Sequence, residues 1–86
     1  MDPNYILALN GKGNALLYLL KGSEAITYFD KVLAMDPNNK EALKSKGHFL
    51  NFKGKYAEAI TYFDKVLAMD PNNTEAKTLK DLALKG

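Results

Sequence analysis

Apolar and small residues in the middle of the chain recur with the spacing of an amphipathic helix. The segment Lys40–Lys53 has this spacing, and its residues at i, i+4 and i+7 are Leu43, Gly47 and Leu50. Gly54 then provides a stop signal, because glycine adopts the left-handed backbone conformation without steric cost. The pattern therefore predicts one helix that ends at a tight turn.

A second helical pattern follows, from Tyr56 to Met69. Its inner stripe consists of Ala59, Ile60, Phe63, Val66 and Leu67. The sequence Asp70-Pro71-Asn72-Asn73 closes this helix, because proline disfavours helical geometry at the preceding residue and asparagine suits a turn or a cap. We therefore predict two helices joined by a short turn.

This two-helix pattern is repeated along the chain. The sequence Met-Asp-Pro-Asn at 1–4 returns at 35–38 and at 69–72, with a constant offset of 34 positions. The longer segment Glu24–Asn39 recurs letter for letter as Glu58–Asn73. A fixed period of this length is typical of proteins built from stacked repeats.

The period extends the prediction to the rest of the chain. We predict a single domain over 1–86, with repeat 1 at about 6–39, repeat 2 at about 40–73 and a capping helix at about 74–86. The additional helices are expected near Asn4–Leu20, Ser23–Met35 and Thr74–Lys85. The chain begins with Met-Asp-Pro-Asn, the sequence that closes each repeat, and then has about two and a half repeats. It is therefore interpreted as a piece of a longer array or as an engineered minimal array.

The residues at fixed places of the period resemble the tetratricopeptide repeat. In repeat 2 these residues are Leu43, Gly47, Leu50, Tyr56, Ala59, Phe63 and Pro71. Repeat 1 matches with Leu9, Gly13, Leu16, Ala25, Phe29 and Pro37. The resemblance implies an all-α fold of antiparallel helix-turn-helix repeats stacked in a right-handed superhelix, an α-α solenoid of about five helices. It also implies a protein-interaction module without catalysis.

Several places of the motif have a physical role in that resemblance. Gly13 and Gly47 would allow the two helices of a repeat to approach closely, and Phe29 and Phe63 would fill the space between neighbouring repeats. At the place before each glycine, where the motif is usually apolar, the chain has a lysine. We expect the stems of these lysines, Lys12 and Lys46, to lie along the helix with the amine in water.

The second helices of the two repeats are identical from Glu24 and Glu58 onward, whereas the first helices differ. The resemblance implies that the first helices line a concave binding face. The expected binding residues are Asn10, Asn14, Leu17, Lys44, His48, Asn51, Thr78 and Leu82. Asparagine amides can hydrogen-bond a peptide backbone, and a lysine can pair with a carboxylate. The alternative is a solvated polar face. Only Asn14 matches the clamp by which one subclass holds chaperone tails, which argues against that ligand.

Repeat 1 departs from the pattern at its turn, where Gly22 stands in the place of Tyr56. The sequence predicts that the stop moves to Lys21-Gly22, that the first helix runs about two residues longer, and that Ser23 caps the next helix. The stretch Ala15–Leu20 is apolar on all sides. It is interpreted either as a repacked core or as an exposed patch that contacts a partner or a second copy. Gly22 argues against the further alternative of a domain-swapped dimer.

For the last helix, too, the sequence leaves open whether the apolar residues are buried or exposed. Leu79 and Leu82 fall at places expected to face the groove, so either the helix is rotated or an apolar strip remains open. The residues with expected self-association potential are Leu17, Leu19, Leu20, Leu79 and Leu82. They support the alternative function, a structural or designed self-associating scaffold without a dedicated ligand.

Composition narrows the remaining function classes. The net charge is +2, and all twelve basic residues are lysines, which disfavours a nucleic acid partner because no arginine fork is present. With no cysteine and His48 as the one histidine, we expect no metal site, no cofactor and no enzyme activity. No segment resembles a signal peptide or a membrane span, and a cytoplasmic location is the expectation.

Overall fold

The computed structural model describes residues 3–86, and over that range it consists of α-helices joined by short turns. Its five helices are α1 (Pro3–Tyr18), α2 (Gly22–Met35), α3 (Lys40–Phe52), α4 (Tyr56–Met69) and α5 (Thr74–Lys85). The helices α1 and α2 pack as one pair and α3 and α4 as the next, while α5 packs against α4. The predicted all-α repeat fold is confirmed.

The repeated Asp-Pro-Asn-Asn sequence builds the turns between repeats. Asn39 is the N-cap of α3, and its Oδ1 accepts a hydrogen bond of 3.0 Å from the backbone nitrogen of Ala42. Its Nδ2 donates to Asp36 Oδ2 at 3.1 Å. Asn73 and Asp70 repeat this arrangement at the start of α5. The cap satisfies an otherwise unpaired amide of the first helical turn, which is one of the two roles predicted for these asparagines.

Two phenylalanine rings occupy the centre of the repeats. Phe29 and Phe63 are fully buried, each against the glycine of its own repeat. A Cβ atom added to Gly13 would lie 2.7 Å from the ring of Phe29, and one added to Gly47 would lie 2.6 Å from the ring of Phe63. Any larger residue would therefore displace the ring, which confirms the close approach predicted for both glycines.

The turn of repeat 1 differs from the prediction. The helix α1 ends at Tyr18, the place equivalent to Phe52 in α3, so it is not prolonged. Leu20 adopts a φ of +60°, where Gly54 has +78° in repeat 2. Ser23 does not cap α2; the N-cap residue is Lys21, and no side chain bonds there.

The reason is that the stack imposes the same turn on both repeats. Lys21 N donates to Leu16 O at 2.8 Å, and Lys55 N donates to Leu50 O at the same distance. This bond requires a left-handed residue just before it, which is Leu20 in repeat 1. A left-handed conformation costs an ordinary residue roughly 1–2 kcal/mol. Leu20 is also 83% exposed, so its side chain recovers little of that cost by burial.

Replacing Leu20 by glycine should therefore stabilise the protein. We expect Leu20→Gly to raise the free energy of unfolding by about 1 kcal/mol, since relief of strain exceeds the added entropy of an unfolded glycine. Urea denaturation followed by circular dichroism measures the change. Leu19→Gly is the matched control, because Leu19 is exposed without a positive φ, and it should not stabilise. Equal effects of the two substitutions would contradict the strain argument.

An aromatic side chain fills the same place between a second helix and the following first helix in both repeats, but a different helix supplies it. Between α2 and α3 it is Phe49 of α3, and between α4 and α5 it is Tyr56 of α4. A Cβ on Gly22 would clash with the ring of Phe49, so the aromatic group of α3 fills the space beside this glycine. In the next repeat Tyr56 stands at the place of Gly22, and Ala83 stands at the place of Phe49. Tyr56 packs against a cluster that contains Ala83. The loss of the tyrosine from repeat 1 is thus compensated by a phenylalanine on the facing helix.

The capping helix keeps the register of the repeats. Its buried residues Ala76, Leu79 and Ala83 fall at the places of Ala42, Ser45 and Phe49. Leu79 is only 9% exposed and packs with Phe63, because its place in the period faces the preceding helix. The helix is therefore not rotated. The expectation that Leu79 contributes to an open apolar strip is wrong.

Lysine–aspartate pairs connect neighbouring repeats. Lys46 Nζ lies 2.6 Å from Asp30 Oδ1 and 5.3 Å from the ring centroid of Tyr62. Its stem is largely buried, as predicted, but the amine is ion-paired. Burial lowers the pKa of Lys46, but the hydrogen bonds to Asp30 and Tyr62 outweigh it and raise the pKa above its ordinary 10.5. The contribution of the pair to stability is therefore fully present below the ordinary lysine pKa of 10.5. It is lost as the pH rises through the higher pKa that Lys46 has in the folded state.

Candidate functional site

The first helices of the repeats, α1, α3 and α5, are neighbours and together form one face. Polar side chains connect them: Asn14 of α1 bonds to α3, and Asn51 of α3 bonds to α5. We call this surface the first-helix face. It carries the predicted binding residues, but they differ in how accessible they are.

At one end of the first-helix face the polar residues already form hydrogen bonds within the protein, although the buried Oδ1 of Asn10 has no partner among the described residues. Asn10 is 5% exposed, and its Nδ2 donates to the capping Asn39 Oδ1 at 3.1 Å. Asn14 Nδ2 donates to Glu41 Oε1 at 3.2 Å, while its Oδ1 accepts from Ser45 Oγ at 2.9 Å. These asparagines therefore join α1 to α3. Asn10, being buried, is not available to a partner as the sequence suggested.

Lys44 is likewise engaged. Its side chain is 14% exposed, and its Nζ lies 3.7 Å from Glu75 Oε2 and 4.0 Å from Glu41 Oε2. The two carboxylates offset its charge, so a partner carboxylate would have to compete with both. Neither glutamate was recognised as part of the site from the sequence, because both distances depend on how the helices stack.

The other end of the first-helix face is apolar and open. His48 is exposed and borders two cavities. The first, which we call the turn cavity, has a volume of about 460 Å³ and is lined by Leu17, Leu20, Gly22, Ser23, His48, Phe49, Phe52 and Lys53. The second, which we call the groove cavity, has a volume of about 280 Å³ and is lined by His48, Asn51, Phe52, Tyr56, Leu79 and Leu82.

Phe52 is the most exposed of the cavity-lining aromatic residues that the sequence reasoning missed. It is 77% exposed, although it is aromatic, and it lines both cavities. Its equivalent in repeat 1 is Tyr18, which is 90% exposed. The signal was an aromatic residue at the last helical position of both first helices, immediately after a predicted binding residue.

The remaining predicted residues are distributed around this apolar end. Leu17 lines the turn cavity, and Leu82, which is 54% exposed, lines the groove cavity. Asn51 Nδ2 donates to Leu79 O at 3.0 Å, and its buried Oδ1 has no partner among the described residues. Thr78 and Leu19 are exposed but line neither cavity.

Among the residues that line the two cavities, one is charged, and it is a lysine. Lys53 lines the turn cavity, with its Nζ 5.8 Å from the ring centroid of Phe49, and no carboxylate lines either cavity. Within residues 3–86, no three potential metal ligands come together. No helix in that range has the length and apolar character needed to cross a membrane. The site offers apolar surface and one cationic group, Lys53.

Comparison with known protein families identifies the repeat. A model described as tetratricopeptide repeat matches residues 10–74, which include both complete second helices and the turns that join the repeats. No curated protein matches the sequence. The repeats of this family generally mediate contacts between proteins and are not catalytic. Because the match covers most of the chain and the five helices follow the repeat pattern, the protein belongs to the tetratricopeptide repeat family.

Proposed function

We propose that the protein binds a segment of a partner protein at the apolar end of the first-helix face, in the turn and groove cavities on either side of His48. The observation that carries this proposal is that the first-helix face has a polar end and an apolar end. Its polar end is closed by internal hydrogen bonds and ion pairs, whereas Phe52 and Leu82 remain open at the other end.

The energetics favour the apolar end as the place of strongest binding. Covering an exposed apolar side chain gains roughly 25 cal/mol per Å² of area removed from water. Binding through Asn14 or Lys44 would first break an existing hydrogen bond or ion pair, which offsets much of the gain. Aromatic side chains near the centre of an interface usually dominate its affinity. Phe52, which borders both cavities, is the expected anchor.

The proposed binding residues are accordingly a subset of those expected from the sequence, with aromatic additions. They are Leu17, His48, Phe49, Asn51, Phe52 and Leu82. The matching partner presents large apolar side chains to the two cavities. Thr78 lies outside the cavities, and Asn10, Asn14 and Lys44 support the stack of helices.

Selection from a displayed peptide library, followed by fluorescence anisotropy with the selected peptides, tests this function. We expect Phe52→Ser to weaken binding by about tenfold or more, because a central aromatic anchor is lost. Leu84→Ser is the matched control, since Leu84 is 64% exposed and lines neither cavity. Equal affinities for the two variants, or no peptide retained from a broad library, would contradict the proposal.

Self-association is a second candidate function, supported by the exposed residues at the first turn. Leu19 is 66% exposed and Leu20 is 83% exposed, and both follow the open aromatic Tyr18. Light scattering over a concentration series tests this candidate, and a strict monomer at high concentration would contradict it. Combining Leu17→Asn with Leu20→Gly copies the second repeat, and an unchanged oligomer would exclude this patch.

A further inference from the structure

The turns within the two repeats and the end of α5 meet at one edge of the molecule. Because the helices alternate in direction, α1, α3 and α5 end where α2 and α4 begin. Leu20 of the first turn and Lys53 of the second line the same turn cavity. A Cβ added to Gly86 would lie 2.5 Å from the ring of Tyr56, so the end of α5 lies beside the second turn. We call this surface, formed by residues 18–23, 52–57 and 84–86, the basic edge.

The basic edge carries four lysines and no aspartate or glutamate. All four lysines are exposed, and none has an ion pair with a described residue. They are Lys21, Lys53, Lys55 and Lys85. Glu24, Glu58 and Asp81 flank the edge in sequence, but none of them pairs with these lysines. Four positive charges are thus concentrated here without an ion-pair partner.

The opposite edge, where the turns between repeats lie, is acidic. Residues 35–41 and 69–75 together carry four carboxylates and one lysine, Lys40, whose Nζ lies 3.7 Å from Asp70 Oδ2. The charges of the molecule are therefore separated along the direction of the helices. Near a negatively charged surface, this separation orients the protein with the basic edge toward that surface.

The basic edge is also unusually apolar. Tyr18, Leu20 and Phe52 are the three most exposed large apolar side chains among the described residues, and all of them lie here. Leu19 and Leu84 are exposed at the same edge. Tyr18, Leu19 and Leu84 line neither cavity, so the binding of a partner segment in the cavities does not account for their exposure.

We propose that the basic edge binds an anionic lipid bilayer at its surface, with its lysines against the headgroups and the side chains of Tyr18, Leu19 and Leu20 in the interfacial layer. This contact goes beyond the proposed binding of a partner segment. It is peripheral, since no helix in residues 3–86 is long and apolar enough to cross a membrane.

The shape and chemistry of the edge favour a lipid surface over a peptide. A bilayer contacts side chains that project from turns, whereas a peptide is held in a concave site, and Tyr18 and Leu19 line none. Tyrosine suits the headgroup layer because its ring is apolar and its hydroxyl is polar. Attraction of lysines to anionic lipids adds to the burial of apolar side chains, and the two together bind a membrane more strongly than either does alone.

Sedimentation of the full-length protein with lipid vesicles tests the proposal. With vesicles of phosphatidylcholine and about one third phosphatidylserine, we expect binding at least about tenfold stronger than with phosphatidylcholine alone. High salt should weaken this binding, because it screens the lysines. The proposal would be overturned if the protein did not sediment with the anionic vesicles at low salt, or bound both kinds of vesicle equally.

Matched lysine variants locate the contact. Lys21→Gln with Lys55→Gln removes two charges from equivalent places of the basic edge and should weaken vesicle binding about tenfold. Lys31→Gln with Lys65→Gln removes the same total charge from exposed, equivalent places of α2 and α4 and should have little effect. Equal losses in the two double variants would show attraction by net charge alone and overturn the proposal.

Matched apolar variants test the second part of the contact. Tyr18→Ser with Leu19→Ser should weaken vesicle binding about tenfold, because two side chains no longer leave water. Tyr5→Ser with Leu7→Ser changes the same residue types at exposed places of α1 outside the basic edge and should leave binding unchanged. Circular dichroism confirms that each variant is folded. None of the eight substituted residues lines a cavity, so failure here is distinguishable from failure of peptide binding.

Other occupants of the basic edge give different results. A second copy is the occupant if Tyr18→Ser with Leu19→Ser abolishes an oligomer seen by light scattering but leaves vesicle binding intact. An acidic protein segment is the occupant if polyglutamate binds through Lys21 and Lys55 while anionic vesicles do not bind. Either result would overturn the proposal.

Discussion

Replacing Phe63 by alanine is expected to lower the free energy of unfolding by about 3–5 kcal/mol. The ring is fully buried and packs with Leu50, Leu79 and Ala83, so three helices lose contacts at once. Gly47 cannot fill the space, because it has no side chain and its position was set by the ring. The measurement is the urea dependence of the helical circular dichroism signal.

A loss of this size is a large part of the total for a small domain, whose stability is usually about 0.05–0.15 kcal/mol per residue. Phe63→Leu therefore serves as a milder variant that keeps most of the apolar volume. It should cost less than the alanine change and leave a measurable folded state. The matched control is Phe52→Ala, an aromatic truncation at a 77% exposed position, which is expected to change stability by about 0.5 kcal/mol or less. Similar losses for Phe63→Ala and Phe52→Ala would show that the core is not centred on Phe63.

The repeat period made most of the fold predictable. Phe29 and Phe63 lie at the same place of the two repeats, so the same packing serves both. The two-helix pattern of repeat 2 therefore also predicted the two helices of repeat 1. The bounds predicted for α4 and for α5 agree with the structure. The caps formed by Asn39 and Asn73 were also predictable, because a cap depends on residues close in sequence.

Long-range constraints account for the errors at the first turn and in the last helix. A leucine in the left-handed conformation contradicts local preference, and Leu20 adopts it because the stack fixes the turn on both sides. Leu79 was expected to contribute to an open apolar strip, although its place in the period is that of the buried Ser45. In both cases the neighbouring helix decided the outcome.

The positions of the expected binding residues on the first helices were predictable, but their contacts were not. These residues do lie on the first helices, yet Asn14 and Lys44 bond to neighbouring helices. Such pairs join residues about 30 positions apart and cannot be read from spacing within one helix. The apolar end depends on Phe52, whose exposure follows from the end of α3 and not from its residue type.

The exchange of aromatic residues between the repeats gives the sharpest test of the packing. We expect Gly22→Tyr alone to destabilise the protein by about 2–3 kcal/mol, because the new side chain clashes with Phe49. Phe49→Ala alone should cost about 2 kcal/mol, since it leaves space beside the glycine and Phe49 is half-buried. The double variant reproduces the pair Tyr56 and Ala83, so it should lie within about 1 kcal/mol of the original protein.

The expected coupling between these two sites is thus about 3–5 kcal/mol, at or above the upper end of the usual range for residues in contact. Denaturation of all four proteins measures it directly. Gly11→Ala with Phe49→Ala is a control pair, because nothing lies near a Cβ at Gly11, and these two changes should simply add. If Gly22→Tyr and Phe49→Ala also add, the ring of Phe49 does not fill the place of the missing tyrosine. Strong coupling would instead establish that an interface between repeats accepts its aromatic group from either helix.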